Sequence, residues 1–397
     1  MKTPICALLI LLFFALVGSA SAPSGEAALE SQPAKFIIAS RQRFAVGAAP
    51  GSLEVADLNR DGKPDLIVAN EESGDVTILL ATGKGGFKRA QGPPFAAGNF
   101  PNDIAVADFN GDGKLDLAFA NHEALYLTIL LGDGKGDFKP APGSPLPAEM
   151  KPHVHGVAAA DFNGDGAPDL VTESWEIDQI AVFWGDGRGR FDPSPMWLRV
   201  GRHPYQRLRS ADVNGDGKAD ILTTNLRGDN LTVLLGNGKG EFQPAPASPF
   251  PCGIAPFFVG VGDLNGDAKP DLAVVNAPSI SVGASSGSDG MTVLIGDGQG
   301  AFTISPGSPF PTGSGPTRLA LGDLNGDGFA DVAVTNLNSD NVSLFFLGPA
   351  GRLLYTATVP VGKQPKGIAI ADLNRDRKAD LAVTLSGENS VLVLFGK

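Results

Sequence analysis

Seven copies of one acidic nonapeptide constrain this chain more than any other feature. They read DLNRDGKPD from Asp57, DFNGDGKLD from Asp108, DFNGDGAPD from Asp161, DVNGDGKAD from Asp212, DLNGDAKPD from Asp263, DLNGDGFAD from Asp323 and DLNRDRKAD from Asp372. Successive copies start 49 to 60 residues apart. A period of that size means one supersecondary unit per copy, with neighbouring units burying one another's apolar faces.

Each unit has room for four short strands. In the second copy they are placed at Asp103 to Ala107, Asp116 to Ala120, Tyr126 to Leu131 and from about Phe138 onward. Four strands in this span make a propeller blade, so the expected fold is an all-β, seven-bladed propeller of antiparallel blades. The 52 Gly and 31 Pro suit many strands joined by tight turns, and helices should be scarce.

The side chains match their places in such a blade. Ala56, Ala107, Ala160, Ala211, Gly262, Gly322 and Ala371 stand just before the turns, small enough for strands crowding a central channel. The strand after each turn is apolar on both faces, as in Leu272-Ala273-Val274-Val275, because blades cover it on both sides. Pro50, Pro101, Pro204, Pro256, Pro316 and Pro365 are expected to mark the connections between blades, with Pro152 displaced in the third copy. The last copy ends after its third strand, so Phe36 to Phe44 is expected to pair with Val391 to Phe395 and close the ring. Closure removes an edge that would invite aggregation.

The turns carry the chemistry of a hard cation site. Calcium takes six to eight oxygens at about 2.3 to 2.6 Å. The first turn position is Asp57, Asp108, Asp161, Asp212, Asp263, Asp323 and Asp372; the third is Asn59, Asn110, Asn163, Asn214, Asn265, Asn325 and Asn374. Asp61, Asp112, Asp165, Asp216, Asp267, Asp327 and Asp376 fill the fifth. Lys63, Lys114, Ala167, Lys218, Lys269, Phe329 and Lys378 would each offer a carbonyl at the seventh. Asp65, Asp116, Asp169, Asp220, Asp271, Asp331 and Asp380 complete the sets.

Up to seven calcium ions are thus expected. Ala268 and Arg377 replace the glycine of the bend, so the fifth and seventh sites should be weaker or empty. A helical EF-hand needs a Glu at the twelfth position, but Val68, Phe119, Thr172, Thr223, Val274, Val334 and Val383 stand there. Hydrogen-bonded Asx turns without an ion are the competing explanation. The turns hold 21 of the 43 acidic residues, so the net charge of −12 is largely that of the expected metal ligands and need not mean a basic partner.

The string of inner strand, D-x-N-x-D-G-x-x-D and apolar second strand resembles FG-GAP/VCBS-type repeats, the propeller repeat of integrin α heads and of many bacterial exported proteins. The resemblance covers about residues 36 to 397. It implies calcium loops on one face of the ring and, on the opposite face, loops where partners often bind.

That opposite face is expected to gather the histidines into one arc. His122, Glu173, Trp175, Glu176, Asp178, His203 and Gln206 are candidate ligand-binding residues, and His153, His155, Tyr205 and Arg207 are weaker catalytic candidates. Aromatic rings beside carboxylates and guanidinium groups suit a sugar or polar-peptide site. The equally weighted alternative is that these side chains simply sit in polar loops. His153-x-His155 alternates like a strand edge, so its imidazoles are also a possible transition-metal pair. Arg227-Gly228-Asp229 is read as turn chemistry.

The segment before the repeats reads as a signal for export. Lys2 precedes the apolar run Ile5 to Val17, followed by small residues at 18 to 22, giving a leader over 1–22 with cleavage near 20–22 and a linker over 23–34 before the propeller of 35–397. The apolar run is too short for a membrane span, which needs about 20 residues. Cys252 is then the single mature cysteine, so no internal disulfide is expected.

No basic stripe accompanies the aromatics, so nucleic acid is not expected as a partner. The favoured reading is a monomeric, calcium-stabilised, secreted or periplasmic module that binds a carbohydrate or protein without turnover. A lyase-like carbohydrate-active enzyme using the His/Tyr/Arg arc, and a scaffold subunit, are the alternatives.

Overall fold

Every copy of the repeat folds into one antiparallel sheet around its acidic turn, in a computed structural model that describes residues 36–397 apart from Pro93, Trp175, Gln206 and Val282. The expected leader and linker, and the candidates Trp175 and Gln206, lie outside the described residues. The sheets number seven, and each follows the same path from an inner strand through two buried strands to an outer one. In blade 2 these are Pro101–Ala107, Asp116–Asn121, Tyr126–Gly132 and Phe138–Pro140. Blades 1, 2, 4 and 5 add a two-residue strand that pairs with the third strand beyond the outer one.

The prolines correct one expectation. Pro50, Pro101, Pro256, Pro316 and Pro365 do not lie between blades; each is the first residue of an inner strand. Proline lacks an N–H, and the first residue of a strand is a place where that donor is dispensable.

Blades 3 and 4 depart from this pattern. Their inner strands shrink to Val157–Ala160 and Arg209–Ala211, where other blades have seven residues, and Pro204 keeps only an isolated bridge to Asn225. The segments that leave the ladder are those carrying His153, His155, Tyr205 and Arg207.

The core lies between blades. Second strands such as Asp65–Asn70 and Asp331–Asn336 are buried along their whole length. Among the described residues the buried apolar side chains form seven clusters, one at each blade interface. Between blades 1 and 2, Leu58, Ile67 and Ile78 meet Leu117 and Phe119. Between blades 7 and 1, Leu53 and Val68 meet Val391, Val393 and Phe395. A fully buried side chain of this size contributes about 1.5–3 kcal/mol, so ring order follows from apolar faces that only a neighbour can cover.

The ring closes as expected, with a small shift of register. Ile38–Ala45 pairs antiparallel with Ser390–Gly396, placing Phe44 opposite Val391 and Ile38 opposite Gly396. Arg41 and Arg43 donate to the carbonyls of Pro360 and Val361, each at 2.9 Å, and Arg43 also pairs with Glu388.

A recurring asparagine, missed in the sequence, secures the corners of the face opposite the acidic turns. Asn70, Asn121, Asn225 and Asn336 end their second strands and donate to Thr77, Thr128, Thr232 and Ser343 on the third strands, at 2.9, 3.1, 2.8 and 2.9 Å. Blade 3 has Ser174 at this position, and its hydroxyl donates instead to the Lys151 carbonyl at 2.5 Å. Among the described residues the helical elements are two 3-10 turns, Pro349–Gly351 and Ser386–Glu388. No helix there is long and apolar enough to cross a membrane.

Candidate functional site

The acidic turns are built by their own hydrogen bonds. In blade 1, Asp57 accepts the amides of Asp61 and Gly62 at 3.1 and 2.8 Å, Asn59 accepts that of Asp61 at 3.0 Å, and Asp61 accepts that of Lys63 at 3.0 Å. The bend needs a left-handed residue. Gly62, Gly113, Gly166, Gly217 and Gly328 hold φ between 75° and 90°, whereas Ala268 and Arg377 adopt 62° and 68° against the preference of their Cβ atoms.

The ninth-position carboxylates are fully buried. Asp65 accepts the Leu58 amide at 3.0 Å and the Ala81 amide at 2.7 Å, tying the turn to the end of the third strand. Burial pushes its pKa up to about 6, reinforced by the charges of Asp61 and Asp57 and opposed by the two amides. The other six copies repeat the arrangement, with Asp331 raised to about 7.

This donor set fits a calcium ion chemically. Oxygens stand on alternate residues of one turn, and an ionised carboxylate that accepts one amide per oxygen keeps further lone pairs. Four turns already draw a cation to the fifth position: Lys63, Lys114, Lys218 and Lys269 place Nζ 2.6, 3.0, 3.2 and 3.6 Å from Asp61, Asp112, Asp216 and Asp267. Ala167 and Phe329 supply no such charge in blades 3 and 6.

On the opposite face, the loops of blades 2 to 5 form a chain of rings. Phe100 lies 5.7 Å from His122, which lies 4.2 Å from His153 and 4.7 Å from His155; His155 lies 4.4 Å from Tyr205, and Tyr205 5.9 Å from both His203 and Phe257. Burial lowers the pKa of His155 well below its ordinary value and of His122 and His203 to about 4, and it lowers His153 as well. The imidazoles are therefore neutral at neutral pH. Beside them, Glu176, Asp178, Arg202, His203 and Arg227 line a groove of about 290 Å³.

The structure brings most of the predicted arc together but turns two members inward. The Glu173 carboxylate is fully buried, accepting the Arg207 amide and, at 2.5 Å, the Thr223 hydroxyl; burial pushes its pKa up to about 8. A Cβ at Gly156 would come 2.9 Å from the Arg207 Cα and 3.1 Å from this carboxylate, so blades 3 and 4 meet here without spare room. The Arg207 guanidinium is committed to Asp103, 2.8 Å away and fully buried. Asp229, last residue of the Arg-Gly-Asp tripeptide, accepts the Ala255 amide at 2.9 Å, which ties its loop in blade 4 to the segment entering blade 5.

Asp103 is a residue that sequence reasoning missed. Its carboxylate joins Arg207 of blade 4 at 2.8 Å, Arg209 at 3.6 Å and Arg318 of blade 6 at 3.4 Å, bridging the channel. Arg209 and Arg318 also lie over the Phe258 ring, at 4.5 and 5.8 Å. Replacing one partner of a buried pair leaves an uncompensated charge, which costs about 3–5 kcal/mol. Urea unfolding of Asp103→Ala should show a loss of that order, and a loss below about 1 kcal/mol would mean that the network does not hold the ring.

Fold and turns together define a seven-bladed propeller with an oxygen-rich turn in every blade. The chain belongs to the FG-GAP-like repeat family, whose model matches residues 57–119, 108–172, 212–274, 280–334 and 324–383, taking in all seven acidic turns. Mouse cartilage acidic protein 1 is 28% identical over 211 residues, covering 50% of this chain and 31% of that protein. Mouse integrin alpha-IIb is 28% identical over 235 residues, covering 49% of this chain and 21% of that protein. The chain thus spans a third or less of the length of these relatives. Among solved structures, an Agrocybe aegerita lectin that recognises non-reducing terminal N-acetylglucosamine superposes with a TM-score of 0.52 at 20% identity, covering 79% of this chain and 81% of that one. At that identity the likeness is one of fold.

Proposed function

We propose that this protein is an exported, calcium-stabilised binding module that holds a polar partner, a carbohydrate or a protein, on the loop face of blades 2 to 5. The observation that carries the reading is the coincidence of three features in one arc. Two blades there have shortened inner strands, a chain of rings runs along the opening, and a groove of mixed charge adjoins it. Rings stack on sugar faces or peptide side chains, while paired acidic and basic groups orient hydroxyls and amides. The kinship with integrin-like propellers favours binding over turnover, and the apolar run from Ile5 to Val17 supports export.

Glycan arrays and panels of purified surface proteins, probed in calcium, test the reading. A ligand retained by the native chain should bind at least about tenfold more weakly to Tyr205→Ala and to the double variant Arg202→Ala/Arg227→Ala, as expected of central contacts. Arg352→Ala, on the outer strand of blade 6, should bind as the native chain does. Retention indifferent to all of these changes would place the binding surface elsewhere.

A further inference from the structure

Blades 2 and 3 bring three imidazoles to one point. His122 lies in the corner after the second strand of blade 2, and His153 and His155 in the connection entering blade 3. A ring nitrogen from each lies within 4.8 Å of those of the other two. Among the described residues, this is the one group of three His, Cys, Asp or Glu side chains that converges so closely.

We propose that His122, His153 and His155 form a site for a first-row transition cation of the zinc class, held by three imidazole nitrogens with a fourth position open to a water or carboxylate. Three protein ligands with one open position is a common zinc arrangement, with Zn–N distances of about 2.0–2.1 Å. Tetrahedral ligands at that distance stand about 3.3 Å apart, so the nitrogens must close by up to about 1.5 Å to reach it. His122 and His153 are half-buried, so side-chain rotation can supply the movement, while His155 is fully buried and provides the fixed ligand.

The backbone under the rings is already tied down. His122 donates its amide to the Phe100 carbonyl at 2.9 Å, Val154 donates to Ala124 at 3.2 Å, and His155 donates to Glu173 at 3.1 Å. Val154, between the two ligands of blade 3, is buried and anchors their connection against blade 2. Two carboxylates, Glu123 and Glu176, act by charge on His153, and one ammonium, Lys366, acts in the opposite sense on His122.

Nitrogen donors separate this site from the acidic turns. Imidazole suits zinc, copper and nickel, whereas carboxylate and carbonyl oxygens suit calcium. The two metals would occupy opposite faces of the ring, and the site stands whether or not the arc holds a carbohydrate or protein.

Calorimetric titration of the full chain with Zn²⁺ in saturating Ca²⁺ tests this, because calcium then occupies the oxygen sites. One equivalent of zinc should bind, with affinity reduced by at least about tenfold in His153→Ala and abolished in His122→Ala/His153→Ala. His203→Ala, an imidazole outside the trio, should leave it unchanged. Substitution is kept to the half-buried pair, with circular dichroism to confirm the fold. A second readout needs no variant: Zn²⁺ should protect the half-buried His122 and His153 of the native chain from diethyl pyrocarbonate. The absence of saturable zinc binding, or an unchanged affinity in the double variant, would overturn the proposal.

Discussion

Stripping calcium with EGTA should lower the thermal midpoint of this protein by more than 10 °C, on the order of what several linked sites supply. A ligand present at a hundred times its dissociation constant adds about 2.7 kcal/mol per site when it binds only the native state. Five turns keep glycine at the bend, so five such sites would together contribute about 13 kcal/mol before any loss to the lysines that would compete in three of them. Blades 3 and 6, without such a lysine, should show the largest gain in hydrogen-exchange protection when calcium is restored. A midpoint that moves by less than about 2 °C would show that the turns close through their own Asx hydrogen bonds alone.

Deleting residues 36–46 should be nearly as damaging. The outer strand of blade 7 would vanish, exposing the full edge of Ser390–Gly396 that now pairs with Ile38–Ala45. Backbone hydrogen bonds contribute about 0.5–1.5 kcal/mol each. Phe36, Ile38 and Phe44 pack against the clusters flanking blade 7, and each half-buried ring or branched chain adds roughly 1 kcal/mol. The sum is on the order of 5–10 kcal/mol, enough for a fall of about 10 °C in the midpoint and for association through the open edge. Thermal melts and sedimentation of the shortened chain measure both. A monomer that melts at the native temperature would mean that the ring does not depend on its front strand.

Much of the fold was legible because its rules are local. D-x-N-x-D-G turns, small residues beside the channel and doubly apolar second strands each follow from chemistry within a few positions, and the structure places all three where the sequence put them. The inner strand begins at proline, two residues earlier than expected in blade 2, because hydrophobic period says little about where a ladder starts. The corner asparagines were equally visible in the sequence, at a constant distance from the turns, yet their meaning appears only when Asn121 is seen donating to Thr128.

The loop face was read less fully. Its histidines, tyrosine and charged residues were identified, but Glu173 and Arg207 looked like surface groups because both are polar residues near loops. Burial turned them into internal partners of Thr223 and Asp103.

By itself the sequence determined the number of blades, the oxygen-lined turns and the strand that seals the ring, since each is encoded by residues adjacent along the chain or by their repetition. Tertiary structure alone decided that Asp103 meets Arg318, 215 residues away, and that His122 joins His153 and His155. Those meetings depend on how a closed circle of twisted sheets brings the corners of different blades together, a geometry that no local spacing carries.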